Sequence, residues 1–479
     1  MTARHLLGWD WPGVPTGPRA LLFAPLALYL AVGLYYTSRV APTGDEPEYL
    51  LMAQSLWRDR DLVVADNWER EEWREYTAGM PLPDGPLGMD DRPRPARPPG
   101  LPLAIAPVYA LGGRAGATVF LALIATLAML LSVALARLAT GNLEARSVAA
   151  VAALGPPLLY YSFNVYPEGL SALALAASLW LLLSRPGAGQ AGLAALAASL
   201  LPWLHTRMAP AAAALGLVAL MRLRGRSLAV FLGVATSMAA AFFGYHWLVF
   251  GDPSPLVLYG GRLPRHVRDA TPLAAAFGLW LDRSFGLLPY APVFLLALAG
   301  IPALLRRGRA ALPWLLVAVG VIGPLLPWRL WFGGYCPPAR FLVPLVPVLV
   351  ALTAVRLEEG PFGLARWRAW LIAGGAVLGV VLLADPGQML LLNEKEQAPY
   401  VWRALVSEGW AARYLPAFTD RGPEAGRIHG VWVVSVVALL GLDRLAARRP
   451  VVDRLFRTPL LPVAGLILIG LAIDHWALE

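Results

Sequence analysis

The chain has 479 residues, of which 58% are hydrophobic, with a mean hydropathy of +0.58. A soluble domain is nearer half apolar, so an ordinary water-soluble enzyme is excluded. The net charge of +9 would suggest nucleic acid in a soluble protein. Here the arginines are split among short loops with no continuous patch, so no nucleic-acid partner is expected. Cys336 is the only cysteine, which rules out an intrachain disulfide and a thiolate metal cluster.

Apolar runs recur from end to end, separated by short charged loops, the pattern of an all-α polytopic membrane protein of about 13 spans. The first run, Ala20 to Ser38, is long for a signal peptide and lacks a small-residue cleavage site, so it reads as a retained span. Directly after it comes Thr43-Gly44-Asp45-Glu46-Pro47-Glu48-Tyr49. Carboxylates this dense at the mouth of a membrane helix are costly and mark a functional site by default. After Pro47, which suits a first helical turn, Tyr49, Met52, Ala53, Leu56 and Trp57 recur at helical spacing. This predicts an amphipathic juxtamembrane helix. Asp45 or Glu46 caps it, or serves chemistry. The Pro-rich stretch Asp91 to Pro99 reads as an extended connector back to the membrane.

Arginine clusters at Arg137/Arg146, Arg222/Arg224/Arg226, Arg306/Arg307/Arg309, Arg356/Arg366/Arg368 and Arg444/Arg448/Arg449/Arg454/Arg457 occupy alternate loops. The positive-inside rule places them in the cytoplasm, with the N-terminus inside and the C-terminus outside. The outward loops are then 39–113, 250–286 and 388–427, with short ones near Tyr166 and from Trp331 to Arg340. A single transmembrane domain, 1–479, is expected, with no separate soluble domain. Roughly two fifths of the acidic residues fall between Thr43 and Pro98. No internal repeat is evident, so the inverted-repeat logic of transporters gains no support.

Glu168, in Ser162-Phe163-Asn164-Val165-Tyr166-Pro167-Glu168, is a second outward acid; it caps the next helix or joins the first site. Asp45, Glu46 and Glu168 together would offer oxygen ligands to a divalent ion such as Mg or Mn, though three carboxylates do not name one. Leu193 to Met221 reads as two short helices meeting at Pro202-Trp203-Leu204-His205-Thr206-Arg207, or as one kinked helix. The outward basic residues include His205, Arg207, Arg262 and Arg340. Arginine matches phosphate with forked donors, or snorkels to lipid headgroups. The Gly/Pro-rich turn Gly333 to Ala339 would hold Arg340 at a fixed height. Glu394, Lys395, Glu396, Trp402, Trp410 and Tyr414 mark the loop 388–427, whose aromatics suit the membrane interface. Neither a His-Glu-x-x-His pattern nor a Walker loop nor a Gly-x-Ser-x-Gly elbow occurs.

Gly44-Asp45-Glu46-Pro47-Glu48-Tyr49 with Ala53-Gln54-Ser55-Leu56, then Tyr166-Pro167-Glu168, then Pro337-Pro338-Ala339-Arg340-Phe341 with Pro344 and Pro347, resemble the GT-C class of membrane glycosyltransferases. The nearest groups are the bacterial relatives of protein O-mannosyltransferases, the aminoarabinose transferase of lipid A and the rhizobial lipopolysaccharide transferases. The resemblance implies a GT-C-like bundle in a bacterial inner membrane. It also implies a polyprenyl-phosphate-linked hexose or pentose as donor, and inverting transfer on the outer face to a lipid, glycan or protein hydroxyl. In such enzymes the first-loop acid is the base, a role that carries to Asp45 with Glu46 as fallback, and Glu168 corresponds to a second acid. Arg340, Arg207, His205 and Arg262 are the candidates for the donor phosphate. The alternatives are a lipid-linked glycan flippase, whose ionisable groups lie nearer the bilayer midplane, a non-catalytic subunit of the same fold, and a transferase of the O-antigen-ligase type.

Overall fold

The computed structural model describes residues 18–79, 85–184, 187–269, 271–387, 399–420, 422–457 and 460–476. Glu394, Lys395 and Glu396 lie outside them. The described residues are overwhelmingly helical and hold no β-strand; a lone antiparallel bridge joins Leu87 and Pro93. Six helices are long and apolar enough to cross a membrane: Gly100–Ala139, Gly225–Phe250, Gly308–Leu325, Arg340–Glu358, Gly363–Ala384 and Glu424–Ala446. Shorter apolar helices, among them Phe23–Thr37, Glu168–Leu183 and Ala188–Leu204, add to them. The protein is an all-α membrane protein. The chain divides into two compact units, Met1–Leu138 with Leu158–Gly260, and Ala139–Pro157 with Gly261–Glu479.

In the first unit the chain leaves the helix Pro18–Thr37, turns at Gly44 (φ +64°), and enters the helix Glu46–Arg58 with Pro47 in its first turn. Tyr49, Met52 and Ala53 are buried as their spacing predicts, but so are Leu50, Leu51, Gln54 and Ser55, while Trp57 is 56% exposed. The helix is therefore no simple surface float. Tyr49, Leu50 and Met52 join Trp73, Leu101, Ile105, Tyr109 and Leu121 in one apolar cluster. The extra polar positions are buried because they find partners: Gln54 Nε2 donates to Glu75 Oε2 at 2.9 Å, and Ser55 Oγ to Asp61 Oδ1 at 2.9 Å. Trp57 falls in the last turn, outside that cluster.

Helix also begins earlier than the loop 39–113 suggests, at Gly100, and is interrupted at Gly112 and Gly113. Gly113 has φ +54° and ψ −141°, a backbone state reserved for glycine. The stretch from Leu193 to Met221 forms two helices, Ala188–Leu204 and Ala209–Arg222, parted by an extended His205 and the 3-10 turn Thr206–Met208.

In the second unit the helix Val346–Glu358 is the core element, since 94% of the apolar window around it is buried inside the protein. It packs on Leu295–Leu305, where Gly300 permits a contact that no side chain could share: a Cβ there would stand 2.3 Å from the Leu352 carbonyl oxygen. The span Glu424–Ala446 is the opposite case, only 6% buried. At its end Asp443 meets Arg356 in a pair 2% and 1% exposed, Nε to Oδ2 at 2.9 Å and Nη2 to Oδ1 at 2.6 Å.

Asp282, in the loop after the helix Pro272–Leu281, is fully buried and accepts hydrogen bonds from Ser284 N (2.8 Å), Phe285 N (3.0 Å) and Phe418 N (2.6 Å). It thereby ties that loop to the segment 415–420. Burial raises its pKa to about 6, against the pull of the three amides and Arg283. A folded-state pKa above the unfolded value means that the folded protein binds the proton more tightly. The stabilising term is full below about pH 4 and is lost as pH rises through about 6, a change of about 3 kcal/mol. The melting midpoint of Asp282→Asn minus that of wild type in detergent should therefore increase from pH 4 to pH 7. A constant difference would show that Asp282 does not titrate there.

Candidate active site

The acidic motif is positioned by one backbone turn and one helix start. Gly44 reverses the chain and Pro47 commits it to helix, leaving Asp45 at the N-cap position and Glu46 in the first turn. Asp45 makes no side-chain cap hydrogen bond. Its Oδ1 instead accepts from Arg97 Nη2 at 2.6 Å, and its backbone amide donates to the Tyr166 hydroxyl at 3.3 Å. Arg97 is shared, since its Nε donates to Glu48 Oε2 at 3.1 Å. Burial pushes the Glu48 carboxyl up and Arg97 pulls it back.

Glu46 plays a different part. It is fully buried; Oε1 accepts from Val165 N at 2.8 Å and Oε2 from Thr43 N at 3.2 Å. Burial raises its pKa, opposed first by Arg114. Arg114, just past the Gly112–Gly113 break, also donates to the Val40 and Thr37 carbonyl oxygens. Glu46 is thus a cross-link between the 43–46 turn and the 164–168 segment. Glu46→Ala should lose about 2–4 kcal/mol, because two amides lose their acceptor. Glu46→Gln, which keeps one acceptor, should retain most of the activity per folded molecule. Loss of turnover in a stably folded Glu46→Gln would return the fallback role to this residue.

Glu168 is the first residue of the helix Glu168–Leu183 and is 0% exposed. It pairs with Arg207 Nη2 at 3.1 Å. Arg207 reaches it because the chain breaks at His205, whose Nδ1 accepts from the Arg207 amide at 3.3 Å and caps the short turn. Tyr259 completes the arrangement. Its phenol lies within electrostatic reach of both Arg207 and Arg97; burial raises its pKa and the two arginines lower it. Two acid–arginine pairs from four separate segments therefore have their arginines within electrostatic reach of one tyrosine. They differ in access: the Asp45 side chain is 16% exposed, the Glu168 side chain 0%. Asp45 can meet a second reactant, whereas Glu168 is poised to hold Arg207.

Arg340 and Arg262 belong to the second unit. Arg340 is 5% exposed, and its Nη1 donates to the Gly333 carbonyl at 2.9 Å. Gly333 (φ +92°), Gly334 (φ +73°) and Ala339 (φ +58°) shape the turn that carries it. Arg262 ends the turn Pro255–Arg262, and its side chain lies outside the described positions. Among the described residues no three of His, Cys, Asp or Glu come together as a metal site. Asp45, Glu46 and Glu168 are engaged by Arg97, Val165 N and Arg207, so their geometry does not form a shared oxygen cage.

Arg97, Arg114 and Tyr259 escape local sequence patterns. Arg97 sits in a stretch that reads only as a connector. Its one signal is a cation pinned between Ala96 and two prolines, opposite the acid-rich helix.

No protein-family model matches the chain, and no curated protein matches it. Among solved structures it is similar to ArnT from Cupriavidus metallidurans in the apo state, at TM-score 0.50 and 17% identity, over 97% of this chain and 77% of that one. The same protein bound to undecaprenyl phosphate gives TM-score 0.48 at 17% identity, over 96% and 78%. The archaeal oligosaccharyltransferase AglB from Archaeoglobus fulgidus, in complex with an inhibitory peptide and a dolichol-phosphate, gives 0.42 at 16% identity, over 77% and 54%. The chain shares the fold of ArnT from Cupriavidus metallidurans.

Proposed function

We propose that the protein is an inverting membrane glycosyltransferase that moves a hexose or pentose from a polyprenyl-phosphate donor to a hydroxyl of a lipid, glycan or protein. The reading places it in a bacterial inner membrane with the acid–arginine cluster outward, as the alternation of arginine-rich loops favours. The observation that carries it is the pairing of a partly open Asp45 with Arg97 and of a buried Glu168 with Arg207, in a chain with this fold.

A sugar or lipid hydroxyl is a weak nucleophile at neutral pH, so a carboxylate within hydrogen-bond reach is needed as base. Asp45 takes the hydroxyl proton. The oxygen forms a bond to the anomeric carbon as the bond from that carbon to the phosphate oxygen breaks. The electron pair leaves with polyprenyl phosphate, and the configuration inverts. Charge grows on the phosphate, and preorganised arginines stabilise it. Arg207, already oriented by buried Glu168, is the donor-phosphate ligand in this scheme, with His205 setting the turn that carries it. Arg97 pairs with Asp45 and aims its carboxylate. No step is routed through a metal ion.

The test is release of polyprenyl phosphate from a labelled polyprenyl-phosphate hexose by purified protein in liposomes, with membrane extract as acceptor. Release that depends on Asp45 supports the transferase. Tight donor binding without release from any of several sugars would favour a flippase or a non-catalytic subunit.

A further inference from the structure

The second unit contains a basic cavity that the proposed transfer reaction does not use. It has a volume of about 140 Å³, roughly ten times the ~10–15 Å³ that one water needs. Pro302, Arg306, Glu359, Phe362, Arg444 and Arg448 line it, together with Asp443. The walls are apolar at Pro302 and Phe362 and cationic at the arginines.

Charge decides what fits. Asp443 is neutralised by both forks of Arg356 and by the Leu364 amide at 2.7 Å. Glu359 is paired with Arg306. Both acids of the cavity are therefore spent on arginines. Arg444 and Arg448 carry no ion pair among the described residues, so the cavity holds two uncompensated positive charges. Arg444 lies in the last turn of the Pro423–Ala446 helix and Arg448 in the turn that follows its C-cap Ala447, and both line the cavity. Arginines near a helix C-terminus complement its dipole, but that explains their location and not a cavity between them and Arg306.

The surroundings favour a lipid as the source of the anion. The helix that carries Arg444 is the least buried of the candidate spans, as suits a span in contact with lipid along its length. The cavity lies among the arginine-rich loops, which the positive-inside rule assigns to the side of the anionic cytoplasmic leaflet. Guanidinium forks bind phosphate in two-point geometry.

We propose that this cavity is a binding site for the phosphate of an anionic phospholipid, held by Arg444 and Arg448. A bound headgroup would pin the end of the Pro423–Ala446 helix to the Leu295–Leu305 helix. The site is independent of the transfer reaction, and Asp45→Asn should bind lipid as wild type does.

The test uses detergent-purified full-length protein with phosphatidylglycerol or phosphatidylcholine, read by native mass spectrometry and by melting midpoint. Wild type should retain phosphatidylglycerol over phosphatidylcholine by about tenfold or more. Its midpoint should rise by about 2–4 °C with the anionic lipid. Arg444→Ala/Arg448→Ala should lose both the preference and the rise, while Arg449→Ala, a neighbouring arginine outside the cavity, keeps them. Survival of the preference in the double variant, or its equal loss in Arg449→Ala, overturns the assignment. An equal rise with inorganic phosphate alone would make this a soluble-oxyanion site and overturn the lipid. Should the alanine pair misfold, Arg444→Lys/Arg448→Lys carries the test. It keeps the charge without the fork and should weaken retention several-fold, and unchanged retention again overturns the proposal.

Discussion

Asp45→Asn is expected to lower sugar transfer by about 10²–10⁴-fold, the usual contribution of a general base, with little change in melting midpoint. Asparagine keeps an oxygen for Arg97 Nη2 to reach, and the bond from the residue 45 amide to the Tyr166 hydroxyl is a backbone bond that the change leaves intact. Only the basic carboxylate is removed. The measurement is initial rate of polyprenyl phosphate release at saturating donor, alongside thermal unfolding of the same preparation. Turnover within a few-fold of wild type would sink the assignment of Asp45 as base. A collapse in stability would instead make the Asp45–Arg97 pair a structural clasp. The exposure difference favours lost turnover with stability retained. Asp45 keeps a solvent-facing edge and Glu168 does not.

The largest stability effect is expected at the far end of the second unit. Arg356 is 1% exposed and Asp443 2%. Beyond the two-point pair, Arg356 Nη2 donates to the Phe362 carbonyl at 2.8 Å, and its guanidinium lies 4.4 Å from the centre of the Phe362 ring. Gly363 is held at φ +54° directly against Asp443, where a Cβ would come within 2.3 Å of Oδ1. Removing either partner leaves a charge buried without its counterpart, which costs about 3–5 kcal/mol. Arg356→Ala and Asp443→Ala should each lower the midpoint sharply in detergent. The double replacement Arg356→Met/Asp443→Leu should recover much of the loss, because desolvating the pair offsets most of its attraction. Single variants that unfold within about 1 kcal/mol of wild type would mean that the pair is hydrated and weak, as surface pairs are.

The two outcomes bear on different residues for a reason visible in the chain. Glu46 and Asp45 are adjacent and chemically alike, yet one is a cross-link and the other a candidate base. Glu46 turns back toward Thr43 and reaches Val165, which removes both oxygens from solvent. Asp45 points to Arg97 and stays partly open. Nothing in the local sequence separates them. The separation comes from Val165 and Arg97, which lie 119 and 52 residues away.

The membrane class and the acidic mouth of the first loop were determined by the sequence itself. So were the helix after Pro47, the break at His205 and the turn carrying Arg340. A bilayer forces apolar runs of about 20 residues and sorts arginine by side, and proline and glycine punctuate the backbone locally. Only the tertiary structure decided that Arg97 leaves its connector to hold Asp45 and Glu48, that Glu168 is spent on Arg207, and that Tyr259 stands near both arginines. It also decided that Trp57 faces outward while Gln54 is buried. These are pairings between segments far apart in the chain. Helical periodicity shows which face of an element is apolar, but not which distant cation will meet a buried carboxylate.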